Sequence, residues 1–141
     1  MSKSNSHETS LLALLFNATA FADLAENDSS SPATTLSVAL HTADPGEAGD
    51  QSTSEAAYTS YARVAVNRNS GGWTVSGNQV SNTAVINFPA ATGGSETLTH
   101  FSVGYGASDA MLYSGALSSS IAVSSGIQPS IAAGTLVITE D

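Results

Sequence analysis

LSVALHTADPGEAGDQSTSEAAYTSYARVAV, Leu36–Val66, starts and finishes like a β-strand and resembles no regular element between. Leu36, Val38 and Leu40 alternate with Ser37, Ala39 and His41, the two-residue period of a half-buried strand. Val64 and Val66 form a second strand, with Arg63 and Ala65 facing the other way. From Thr42 to Ala57 the residues are small, acidic or hydroxylated. A connection this long is no hairpin turn, so it is expected to cross between sheets or lie over one end of them.

The same period continues outward. Trp73 and Val75 lie on a strand opened by Gly71-Gly72 and closed by Gly77-Asn78. Ala84 to Phe88, Leu98 to Tyr105, Met111 to Leu117, Ile121 to Val123 and Thr135 to Thr139 complete the set. Ser118-Ser119-Ser120 and Ser124-Ser125 flank Ile121-Ala-Val, which reads as an edge strand blunted by hydroxyls. Short strands separated by Gly, Ser and Asn turns predict a mainly β protein, an antiparallel β-sandwich or barrel-like domain.

One helical signal precedes the strands, from Asn5 to Asn27. Asn5 and Glu8 have capping-box spacing. Leu11, Leu15, Ala18, Ala22 and Ala25 recur at helical steps, and Leu12, Leu14, Phe16, Phe21 and Leu24 widen the stripe beyond one face. A helix apolar on several sides needs several covering surfaces. The expected organisation is a helical arm over residues 1–31 and a β-sandwich domain over 32–141.

Composition narrows the function. Of 141 residues, 41 % are apolar and only 11 % charged, against a usual charged share of about 25 %. Ser, Thr, Ala and Gly fill the gap, and their short side chains lose little rotamer entropy when a neighbour covers them. The net charge is −9, with Lys3, Arg63 and Arg68 the only cations beside three histidines. So few cations cannot track phosphates, and they disfavour an anionic membrane surface; neither nucleic acid nor membrane is an expected partner. There is no cysteine, which removes disulfides and thiolate chemistry. The longest apolar run, Leu11–Phe16, is too short to span a bilayer, and His7-Glu8-Thr9 sits where a secretory signal would already be apolar. The chain is therefore expected to be made in a cytoplasm.

Chemistry-bearing residues are densest in the opening stretch. Asp44, Glu47 and Asp50, with Glu55, offer hard oxygens on a Gly-containing loop, the ligand type calcium prefers, but their spacing fits no EF-hand. Asp44-Pro45-Gly46 also reads as a simple turn, with a local Asp acceptor, a preset φ and a positive-φ glycine. His41 and His100 lie on strands, and no G-x-S-x-G elbow accompanies the many serines. No catalytic residues and no cofactor are assigned. Arg63 is read as a paired arginine that fastens the loop or a subunit contact to a carboxylate. Candidate interface residues are Leu11, Leu12, Leu15, Phe16 and Phe21 on the helix, with Tyr58, Tyr61 and Arg63 at the end of the loop.

Several of these segments resemble a family of small virion proteins of tailed bacteriophages. The resemblance rests on LHTADPG at 40–46, YAR at 61–63, GGW at 71–73, HFSVG at 100–104 and the ending LVITED at 136–141. It implies a virion component assembled in the bacterial host cytoplasm, without cofactor, in a symmetric array. Members are labelled head-decoration or tail-fibre proteins. The leading expectation is a non-enzymatic, homo-oligomeric capsid decoration or cement protein, with a trimer favoured, whose partners are itself and the major capsid protein or another virion protein. The alternative is a tail-fibre or receptor-binding component in which the loop and the aromatics read a host glycan. A small hydrolase using Asp44, Glu47 or Asp50 is the third reading.

Overall fold

A computed structural model describes residues 5–20, 33–105 and 109–140. Among the described residues the chain is mainly β, with antiparallel sheets, one helix near the N-terminus and no closed barrel. Contacts divide it into two compact units, one of Met1–Thr34, Asn67–Val85 and Ala132–Asp141, the other of Thr35–Val66 and Ile86–Ile131. This differs from the expected arm and body: the helix shares a unit with strands from two later parts of the chain.

In the first unit, helix α1 (Asn5–Asn17) packs on a three-stranded antiparallel sheet of β3 (Trp73–Ser76), β4 (Gln79–Asn82) and β9 (Val137–Thr139), in the order β3-β4-β9. Glu8, Leu12 and Phe16, one turn apart, form the buried face of the helix. Phe16 meets Trp73 edge-on, with ring centroids 4.8 Å apart at 69°. Such a pair adds about 1 kcal/mol to the burial of its two rings.

The helical pattern runs to Asn27, yet the helix stops at Asn17. Ala18 takes a left-handed φ of 53°, and the Thr19 amide turns back to the Ala13 carbonyl. Arg68 supplies the stop: its guanidinium donates to the carbonyls of Leu14, Leu15 and Ala33. A cation there satisfies orphan carbonyls and complements the negative end of the helix dipole. Phe21 and the remaining helical signal to Asn27 lie outside the described residues, as do the side chains of Asn5 and His7.

In the second unit the sheet order is β2-β1-β6-β7, with β1 Thr35–His41, β2 Val64–Asn67, β6 Glu96–Tyr105 and β7 Met111–Val123. A separate two-stranded antiparallel sheet, β5 (Ile86–Asn87) with β8 (Ser130–Ile131), completes the unit. Strand β1 is not half-buried as its alternation predicts, since Val38, Ala39, Leu40 and His41 are all buried. The strand is central, paired with β6 from Leu36↔Tyr105 to His41↔His100, and the 42–57 connection covers its second face. The two strands expected at 111–117 and 121–123 are one edge strand. Opposite β6 its register jumps between Ala116 and Ile121, so Leu117–Ser120 form an irregularity within β7 rather than a break. Strand β4 has no alternating apolar signal: Gly77-Asn78 is the two-residue turn of a β3–β4 hairpin rather than only a strand end.

Candidate functional site

The 42–63 connection carries most of the chain's polar chemistry, and it falls into two halves. In the first half two acids, Asp44 and Asp50, serve their own loop. Asp44 accepts the Gly46 amide at 2.9 Å, closing a turn in which Gly46 has φ +70°. Asp50 accepts the Ser52 amide at 2.9 Å and the Ser52 hydroxyl at 2.7 Å; these bonds hold its carboxyl below the usual range. Asp44, Glu47 and Asp50 are exposed. Among the described residues no group of three or more His, Cys, Asp or Glu side chains is placed to hold a metal.

The second half turns inward. Arg63 makes a bidentate pair with Glu55, Nε to Oε1 and Nη2 to Oε2, both at 2.7 Å, and Nη2 also reaches Asp109 Oδ1 at 2.7 Å. The bonds to Glu55 and then Asp109, working against partial burial, raise the guanidinium pKa further, so Arg63 is always charged. Tyr61 donates to Glu55 at 3.0 Å and accepts the Leu40 amide at 3.1 Å. Burial, with the Glu55 charge beside it, pushes the Tyr61 phenol far up, which keeps its proton on the oxygen that donates. Glu96 accepts the amides of Ala57, at 3.0 Å, and Tyr58, at 3.1 Å, while the Tyr58 hydroxyl reaches the Pro89 carbonyl at 2.8 Å. Tyr61 stacks on Phe88 and meets Tyr58 edge-on.

Beneath this layer lies a buried polar cluster of Ser37, His41, Gln51 and Ser102. His41, Gln51 and Ser102 are each 0 % exposed. His41 Nδ1 lies 2.9 Å from the Thr53 carbonyl, which only accepts, so Nδ1 carries the proton. In the neutral ring Nε2 is then an acceptor, and it takes the Ser102 hydroxyl proton at 2.8 Å. Desolvation holds the His41 pKa below its ordinary value, and the neutral ring this favours suits the acceptor role. Ser102 Oγ in turn accepts from Gln51 Nε2 at 3.2 Å. Gln51 Nε2 also donates to the Ser37 carbonyl at 3.1 Å, and Gln51 Oε1 accepts the Ser37 hydroxyl at 2.6 Å and Arg63 Nη1 at 3.5 Å. Gly104 makes room for this: a Cβ there would collide with the Gln51 amide and the Ala110 carbonyl.

The structure thus places a serine beside a histidine, but the imidazole's other nitrogen faces a carbonyl instead of a carboxylate, and both side chains are sealed from solvent. His100 bonds locally to Thr99 at 2.9 Å. Of the interface candidates, Leu12 and Phe16 are 0 % exposed and Tyr58 is 3 % exposed, each inside its own unit. Leu11, Leu15, Tyr61 and Arg63 are half-buried. Glu96 and Asp109 are anchors of the loop, and Glu96 opens β6. Gln51, Ser102 and Arg68 carried no local signal.

The family model described as podophage GP4 fiber I protein gp80 matches residues 2–139, and the chain belongs to this family. It is therefore a phage structural protein and a component of the virion. No match was found among curated proteins.

Proposed function

We propose that the chain is a non-enzymatic structural subunit of a podophage fibre, assembled in the host cytoplasm and working as a homo-oligomer, with a trimer favoured. The observation that carries this reading is the inward direction of the loop's chemistry. Glu55, Tyr61, Arg63 and Glu96 bind the protein's own backbone and side chains, which makes the 42–63 segment a rigid wall. Asp44 and Asp50, left exposed, close local turns. An extended assembly that must survive outside a cell benefits from subunits whose loops do not fray.

The half-buried helix residues Leu11, Leu14 and Leu15 are the surface on which a second copy or another virion protein would dock. A subunit coating the outer head surface and bound to the major capsid protein is the competing placement. Cryo-electron microscopy of particles with this chain tagged separates the two. Density confined to the tail fibres supports the fibre reading, and a regular coat on the capsid overturns it. Excess purified protein that blocks adsorption to host cells would add receptor binding to the fibre role.

A further inference from the structure

Beneath the loop, the buried Ser102, His41 and Gln51, with the half-buried Ser37 and Arg63, hold the parts of an acyl transfer within one chain. Ser102 Oγ has its proton directed to His41 Nε2 at 2.8 Å, the arrangement of a hydroxyl activated by a neighbouring base. His41 is held in the required tautomer by the Thr53 carbonyl. The Gln51 carboxamide lies against the hydroxyl, with Nε2 at 3.2 Å. Its carbonyl carbon is the next atom, about 1.3 Å along the C–N bond, and the hydroxyl, which here accepts the amide hydrogen close to the carboxamide plane, has to move over the face of that carbon to attack it. The carbonyl oxygen faces two donors, the Ser37 hydroxyl at 2.6 Å and the Arg63 guanidinium at 3.5 Å. Donors preset where negative charge develops act most strongly in a site that excludes water.

We propose that Ser102 and Gln51 form an intramolecular ester. The Ser102 oxygen bonds to the Gln51 side-chain carbonyl carbon as its proton passes to His41 Nε2. Charge gathers on Oε1 against Ser37 and Arg63. His41 then passes that proton to Gln51 Nε2 as the bond from the carbon to Nε2 breaks, and ammonia leaves. No oxidant, metal or second substrate is consumed. The product joins the middle of the loop to strand β6 across 51 residues of chain. Because Gln51 and Ser102 are 0 % exposed, water that would hydrolyse the ester is kept away. The inference concerns the chemistry of this cluster and stands or falls apart from where the subunit sits on the virion.

Intact mass spectrometry under denaturing conditions tests it, on the full-length purified chain and on the chain released from virions. The expected mass is about 17 Da, one ammonia, below that of the sequence. Fragmentation should join the Ser102 and Gln51 peptides, and alkaline hydroxylamine, which cleaves oxygen esters and spares ordinary amides, should separate them. Ser102→Ala should restore the full mass, and His41→Gln should slow the loss of ammonia at least tenfold. A wild-type chain at full mass in both preparations overturns the proposal, whatever the variants do. A 17 Da loss that maps to any other pair of residues overturns it as well.

Discussion

Residues 42–50 and 51–63 belong to one connection and draw on the same few residue types, yet they are built in opposite ways. Asp44 and Asp50 bond to amides two residues away and stay in water. Glu55 and Arg63 lie eight residues apart and bond to each other, Glu55 also to Tyr61 and Arg63 also to Asp109, at the edge of the buried His41, Gln51 and Ser102. The difference lies in the partner. An acid with only its own backbone within reach makes a turn, whereas one facing a guanidinium makes an anchor. Acidic density therefore says little about a loop until its cations are placed.

The largest effect should come from Arg63→Ala, which strands Glu55 beside Tyr61. Breaking a partly buried bidentate pair of this kind should cost about 3 kcal/mol. That loss is measurable by urea denaturation, and limited proteolysis should then cut within 42–63. If the loop stays protected, the anchor account fails. Glu96→Ala should follow at about 1–2 kcal/mol, since two amides at the loop's end lose a charged acceptor. Glu96→Gln should recover part of that through its remaining carbonyl oxygen.

His41 contributes a pH dependence. Its pKa is lower in the folded chain than the ordinary 6.5, so the unfolded chain binds the proton first as pH falls. Stability is then full above about pH 6.5 and declines below it, until the folded form is protonated as well. The groups facing the ring are Ser102, Thr53 and, at longer range, Glu55, Arg63 and His100. Urea midpoints at pH 7.5 and 5.5 should differ more for the wild type than for His41→Gln; equal differences would remove the histidine from the account. The smallest effect belongs to the exposed half. Glu47→Gln should leave the thermal midpoint within error and, with it, the mass signature of any cross-link. A marked change there would erase the contrast between the two halves.

Much of the architecture was legible along the chain. Alternation located β1, β2, β3 and β6 to within a residue or two, because a strand's side-chain period is a local property. The Asp44-Pro45-Gly46 turn was legible for the same reason, and scarcity made Arg63 readable as one half of an ion pair. Which carboxylates it finds was not written in any window, and neither were Glu96, 39 residues from Ala57, or Arg68, 53 residues from the helix carbonyl it caps. The helix length failed for that reason too. Apolar spacing continues past Asn17, while the stop is imposed by a guanidinium from a distant segment.

Local periods, turn chemistry and the absence of cysteine thus followed from residue order alone, since each depends on neighbours within a few positions. Which face of β1 is covered, where the helix ends and which serine meets which histidine depended on chain closure. The helix end forms only when Arg68 reaches its carbonyls, and the other two only when β1, β6 and the connection after β1 are brought together. Their partners lie tens of residues apart, and hydrogen bonds and close packing reach only a few ångströms.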